Sequence, residues 1–266
     1  MNEIISTIIF LVIGFVTGGL SGLLGIGGGV IFVPALIFLL PFTGLEISQL
    51  TYVALATSLF AGSFSASGAS YNHFRIRNLY FKEALLLALG SCSAAVILPK
   101  YVVKVYPETL KYILLVILIL VAINMLLNKS DNSDSKFKIP ASVLPVLGFL
   151  TGTMAVFTGL GGGVIFVPVL FYLYKMDIKK AIGTSSFVVA ATMLSSSFMF
   201  SRIESDISSG FYMGYINIYV GLLLGIGALI GSFTGVKLFN KVKAIYIKKI
   251  FSVFLIIVIL IILFKQ

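Results

Sequence analysis

Charged residues are what this chain has least of. They make up 11 % of its 266 residues, against roughly 25 % in a water-soluble domain, so a solvated surface cannot be built from them. Histidine and cysteine are rarer still, with one of each, His73 and Cys92. A single cysteine excludes an intramolecular disulfide and any multi-cysteine metal site. Cys92 itself, in Ser-Cys-Ser within an apolar run, reads as a small buried residue. One histidine also leaves a hydrolytic membrane enzyme without its acid/base pair or metal set, so no enzyme, no metal and no cofactor are expected. A basic n-region is missing at Met1 to Glu3 and no small-residue cleavage site follows, so Ile4 onward reads as a first span, not a cleaved signal.

What is present is hydrophobic and comes in long pieces. Apolar residues make up 59 % of the chain, and the mean hydropathy is +1.12. Eight stretches carry no charge at all: Ile4–Phe42, Ile47–Asn72, Ala84–Pro99, Tyr112–Asn128, Ile139–Tyr174, Ala181–Ser201, Phe211–Val236 and Ile250–Phe264. A helix of about 20 residues crosses a hydrocarbon core of about 30 Å, and most of these stretches are that long. The expected class is an all-α integral membrane protein, with the lipid bilayer as its main partner. The net charge of +10 sits between apolar runs, where it orients spans, and no nucleic-acid partner is expected.

The chain repeats itself. Gly14–Leu36 and Gly148–Leu170 are identical at 14 of 23 positions without a gap, including the block Gly-Gly-Gly-Val-Ile-Phe-Val-Pro. Composition bias cannot produce such a block, whereas duplication does. The likeness continues: Thr57-Ser58 matches Thr184-Ser185, and Arg75-Ile76 matches Arg202-Ile203. Lys100, Lys104 and Lys111 match Lys237, Lys241 and Lys248. Residues 1–128 form a first transmembrane repeat, 129–138 a polar linker and 139–266 a second repeat.

Five apolar segments are predicted per repeat, near 4–24, 30–42, 48–71, 80–99 and 112–127, and near 140–160, 164–174, 181–200, 216–236 and 250–264. The second of each follows three glycines and contains a proline, Pro34 or Pro168; whether it spans or re-enters stays open. An odd number of crossings per repeat would leave the two repeats inverted. Basic residues divide 14 to 5 between the two faces, which places both termini outside and the linker 129–138 in the cytoplasm.

Glycine-interrupted segments at matching places in two repeats point to a transport site near the midplane. Helices restarting after Gly27-Gly28-Gly29 and Gly161-Gly162-Gly163 would present unpaired N–H groups and positive dipole ends to an anion. Close helix packing is the competing role for the same glycines. Thr57, Ser58, Thr184 and Ser185 could line the cavity, or could bond to the carbonyl one turn back. None of the nine acids lies inside an apolar segment, where a cation carrier or proton relay would keep one. Hydroxyls and dipole ends suit a small anionic substrate. His73, Arg75 and Arg202 sit at segment boundaries, where they could gate or merely anchor. Neither glycine run continues into Lys-Ser/Thr, so phosphate-loop readings fail.

The paired Gly-x-Gly-Gly-Gly-x-x-x-x-Pro segments, each followed by Thr-Ser, resemble the sulfite exporter TauE/SafE family, also called the toluene sulfonate uptake permeases. The resemblance covers essentially the whole chain. It implies a prokaryotic inner-membrane carrier of sulfur-containing anions such as sulfite or organosulfonates, more often an exporter, working by alternating access. An anion-selective channel is the alternative, and a homodimer is left open. The matching positions are Gly27, Gly28, Gly29, Pro34, Thr57 and Ser58, with Gly161, Gly162, Gly163, Pro168, Thr184 and Ser185; Ala56, where the second repeat has Gly183, departs.

Overall fold

The computed structural model describes residues 3–43, 47–105, 140–205, 207, 211–239 and 241–242, with single residues between 109 and 123 and between 246 and 260. The linker 129–138 and most of the two closing segments, 112–127 and 250–264, lie outside the described residues. Among the described residues, four principal helices come from each repeat. The first supplies α1 (Glu3–Leu24), α2 (Gly29–Leu39), α3 (Ile47–Arg75) and α4 (Phe81–Ile97). The second supplies α5 (Leu144–Thr158), α6 (Gly163–Pro168), α7 (Ile178–Phe200) and α8 (Ile218–Phe239).

Apolar side chains cover the outward faces of these helices, as contact with lipid favours. On α1, Ile4, Ile8, Val12 and Val16 point outward and exposed, and on α8 Leu222, Ile226 and Ile230 do the same. Such stripes would aggregate in water but match acyl chains. Stretches of α1, α3, α5, α7 and α8 are long and apolar enough to cross a membrane. α2 is not. Its 11 residues rise about 16 Å, half of the hydrocarbon thickness. α6 is shorter still and runs into a π-helical turn, Val169–Leu173, where Pro168 has no N–H to offer. The question left open by the sequence is thereby answered for length: α2 and α6 are half-helices.

The helix pairing maps onto itself when the repeats are exchanged. α1 packs along α8 just as α5 packs along α4; α3 lies against α8 as α7 lies against α4. α3 and α7, which carry the Thr-Ser pairs, pack on each other at the centre. Glycine stripes close the outer pairs. Gly14, Gly18 and Gly22 face the α8 backbone at Leu224, Ala228 and Ser232, while Gly227, Gly231 and Gly235 face α1 at Leu11, Phe15 and Gly19. Small residues let backbones approach in lipid, where apolar burial alone gives no net drive to associate. A short antiparallel hairpin, β1 (Tyr212–Met213) and β2 (Ile216–Asn217), precedes α8. Its Gly214 has φ +56°, and the matching Arg77 of the first repeat has φ +54°, so the same turn recurs without glycine.

Candidate functional site

Two chain breaks meet at the centre. Between α1 and α2, Gly25, Gly27 and Gly28 have φ of 69°, 76° and 83°; between α5 and α6, Gly159, Gly161 and Gly162 have 70°, 73° and 82°. An L side chain in this left-handed region costs roughly 1–2 kcal/mol, which is why the spacing Gly-x-Gly-Gly recurs in both breaks. Each half-helix then starts from a glycine carbonyl. Ile31 and Phe32 donate to Gly28 O at 3.1 Å, and Ile165 and Phe166 donate to Gly162 O at 2.9 and 2.8 Å. The amides ahead of them, on Gly29, Val30, Gly163 and Val164, have no acceptor within their own helix.

The third glycine of each triplet has a different task. A Cβ on Gly29 would lie 2.5 Å from Gly159 O and 2.6 Å from the Leu160 Cα; one on Gly163 would lie 2.5 Å from Gly25 O and closer still to the Ile26 Cα. The two breaks therefore touch backbone to backbone, each covering the other, and both are wholly buried. Packing and half-helix ends, offered by the sequence as competing roles, are divided among the three glycines.

The hydroxyls lock this crossing. Ser58 Oγ donates to Gly159 O and Ser185 Oγ donates to Gly25 O, both at 3.0 Å. Thr57 Oγ1 accepts from the Asn217 N–H at 3.0 Å, and Thr184 Oγ1 accepts from the Tyr80 N–H at 3.1 Å. Asn217 and Tyr80 are themselves repeat-equivalent. All four side chains are fully buried. None of these contacts is the local bond to a carbonyl one turn back; each ties one repeat to the other. Ser186 and Ser197 do make the local bond, to Ile182 O and Met193 O.

Eight residues named from the sequence thus converge, Gly27, Gly28, Gly29 and Ser58 with Gly161, Gly162, Gly163 and Ser185, while Thr57 and Thr184 are turned to Asn217 and Tyr80 instead. The boundary residues do not join them. Arg75 and Arg202 are exposed, with guanidinium groups 5.8 Å above the Tyr71 ring and 4.8 Å above the Phe198 ring. His73 is buried: its Nε2 lies 3.1 Å from Gly22 O, its Nδ1 3.3 Å from the Asn78 amide nitrogen, and its ring meets Phe239 edge-on. It clasps α1, α3 and α8 together.

Met193 was not visible as part of the centre. Its thioether lies where side chains on Gly27, Gly62 and Gly161 would be, between the two breaks. The only signal in the sequence is asymmetry, since the equivalent position in the first repeat is Ala66.

Comparison with known proteins agrees with this architecture. The family described as sulfite exporter TauE/SafE matches residues 10–262. A "Probable membrane transporter protein" of Haemophilus influenzae is 32 % identical, covering 93 % of this chain and 94 % of the relative. One of the same description from Methanocaldococcus jannaschii is 26 % identical over 92 % and 90 %, and one from Bacillus subtilis, YunE, 25 % over 95 % and 96 %. No solved structure matches the chain. With apolar spans, a doubled glycine-break motif and a family match over nearly its full length, the chain is a multi-pass membrane transporter that belongs to the sulfite exporter TauE/SafE family.

Proposed function

We propose that this transporter carries small sulfur-containing anions, sulfite or organosulfonates, outward by alternating access, and binds them where the two glycine breaks cross. The observation that carries the proposal is the reciprocal pair Ser58–Gly159 and Ser185–Gly25. Two matching latches hold the centre shut, one from each repeat. Releasing one while the other holds would open the crossing to one side only, and exchanging them would open it to the other. The freed serines and the half-helix amides then face the anion. A helix N-terminus favours a negative charge by about 0.3–1 kcal/mol when exposed and up to ~2 when partly buried. Each hydroxyl bonded to the charge adds about 1.5–3 kcal/mol. Backbone contact between the breaks supports a carrier over a channel, because a channel needs a continuous path. Arg75 and Arg202, at equivalent ends of α3 and α7, would attract anions to the two entrances.

The test uses purified protein in proteoliposomes with sulfite, thiosulfate, sulfate, taurine, isethionate and sulfoacetate. At least one anion should raise the thermal stability and show saturable uptake with counterflow. Flux that never saturates would establish a channel instead, and absence of binding by every anion would end the anion reading.

Inverted repeats in a prokaryotic plasma membrane, with both termini outside and the linker 129–138 inside, complete the proposal; the 14 to 5 division of basic residues supports it. A cysteine introduced as Ser133→Cys in a Cys92→Ser background should stay unlabelled by an impermeant maleimide on intact cells. Labelling there would reverse the orientation.

A further inference from the structure

The two breaks share a backbone but not their surroundings. Beside the first, a side chain on Gly28 would meet the Thr17 methyl at 2.9 Å, the Phe32 ring at 3.1 Å and Ser65 Oγ at 3.4 Å, and one on Gly27 would meet Val189 and Met193. Ser65 Oγ also lies 3.0 Å from Ser21 Oγ, 3.1 Å from Gly27 O and 3.3 Å from Gly62 O, so its single proton serves one of three acceptors at a time. Thr17, Ser21 and Ser65 are all fully buried. Among the described residues Thr17 Oγ1, like Ser196 Oγ on α7, has no hydrogen-bond partner, a costly state for a buried hydroxyl and one that calls for a reason.

Beside the second break, the matching positions are Thr151, Ala155 and Thr192. Thr151 Oγ1 donates within its own helix to Leu147 O at 2.7 Å. Thr192 Oγ1 is taken up by Ser91 Oγ and Val188 O, both at 2.8 Å. A side chain on Gly162 would meet Phe166 and the Ala155 methyl, and the three atoms nearest to one on Gly161 all belong to Met193. Both breaks have a phenylalanine and Met193 against them; they differ in that the first has Thr17, Ser21 and Ser65 where the second has Thr151, Ala155 and Thr192, whose two hydroxyls are already bonded.

We infer that the anion is bound off-centre, on the first break, its oxygens taken by the hydroxyls of Thr17, Ser21 and Ser65 and by the opening amides of α2. This pocket presupposes the anion-carrier function proposed above. The class of ligand is an oxyanion head, sulfite or sulfonate, with the apolar side around Met193 left for whatever part of it bears no oxygen. Ser65 Oγ stands beside the start of the 11-residue α2 with one proton for three acceptors, and the buried Thr17 hydroxyl, whose methyl faces Gly28, has its proton uncommitted; an oxyanion there would take both.

The experiment titrates the tightest-binding anion of the panel above into wild type, Thr17→Val, Ser21→Ala and Thr151→Val. Valine keeps the shape of threonine, so Thr17→Val should keep or raise the melting temperature while weakening binding about ten-fold, the loss of one hydrogen bond to a charge. Ser21→Ala, which copies the second break, should weaken binding too and serves if Thr17→Val does not fold. Thr151→Val should bind like wild type. Unchanged affinity in Thr17→Val and Ser21→Ala, with wild type binding normally, overturns the off-centre pocket and leaves the carrier proposal standing. Equal loss in Thr17→Val and Thr151→Val overturns the asymmetry. Failure of wild type to bind any of the anions removes the carrier reading and this pocket with it.

Discussion

Gly29→Val and Gly163→Val are each expected to yield no folded protein. Valine adds a Cβ and two methyl groups where the Cβ alone already lies 2.5 Å from a carbonyl oxygen of the opposite break, Gly159 O for one and Gly25 O for the other. The obstacle is backbone, so no rotamer relieves it. That backbone cannot retreat either: the receiving glycines hold left-handed conformations, and Ser58 or Ser185 pins the very oxygen in the way. Overpacking a core costs typically about 1–3 kcal/mol even when side chains give way, and here the half-helix and its partner must separate. Total stabilities run only about 5–15 kcal/mol. A fluorescent fusion extracted in detergent should run in the void volume or be lost. Gly19→Ala is the control, because its added Cβ would find only Gly231 O at 3.8 Å, and alanine gains about 1 kcal/mol of helix propensity. Wild-type elution of Gly163→Val would mean that the breaks do not touch.

The second large effect is a coupling between Gly161 and Met193. Gly161→Ala should destabilise by the left-handed penalty of about 1–2 kcal/mol plus the overlap of its methyl with Met193. All three atoms nearest to that methyl belong to Met193, with Cγ at 2.8 Å and Sδ at 2.9 Å. Met193→Ala alone should cost about 2–5 kcal/mol by opening a cavity. In the double variant the new methyl occupies part of that cavity and the overlap disappears. The two losses should therefore fall short of adding by about 1 kcal/mol or more, beyond the few tenths expected of independent sites. Denaturation of the four proteins in one detergent measures it. Simple additivity would place Met193 away from the second break.

Much of this site was legible because the chain states it twice. Identical Gly-x-Gly-Gly-Gly-Val-Ile-Phe-Val-Pro blocks identify two breaks, and Thr-Ser at matching distances identifies the helices beside them. Packing and half-helix ends looked like alternatives for one glycine triplet, since spacing alone does not tell a left-handed φ from a close crossing. For the hydroxyls the sequence offered a ligand or a carbonyl one turn back, and the structure supplies another answer, a partner in the other repeat. His73 looked like a boundary residue because basic neighbours, Arg75 and Arg77, follow it; the turn at Arg77 leaves those two at the surface while the imidazole faces inward. The glycine stripes of α1 and α8 went unread, hidden in runs whose hydropathy was the louder signal. The hairpin before α8 was unread as well, because two-residue strands inside an apolar run leave no alternation to detect.

By itself the sequence determined the membrane class, the duplication, the places of the two chain breaks and the identity of the family. These depend on local quantities: the length of uncharged runs, the absence of an N–H in proline, and the tolerance of glycine for positive φ. Only the tertiary structure decided that Ser58 closes on Gly159, 101 residues away, and Ser185 on Gly25, 160 residues away. It alone put Met193 between the breaks and left the Thr17 hydroxyl without a partner among the described residues. Periodicity reports which face of a helix is apolar, but inside a bilayer nearly every face is. The choice of which small or polar residue meets which is then made by close backbone approach across the repeats, a relation that no local pattern records.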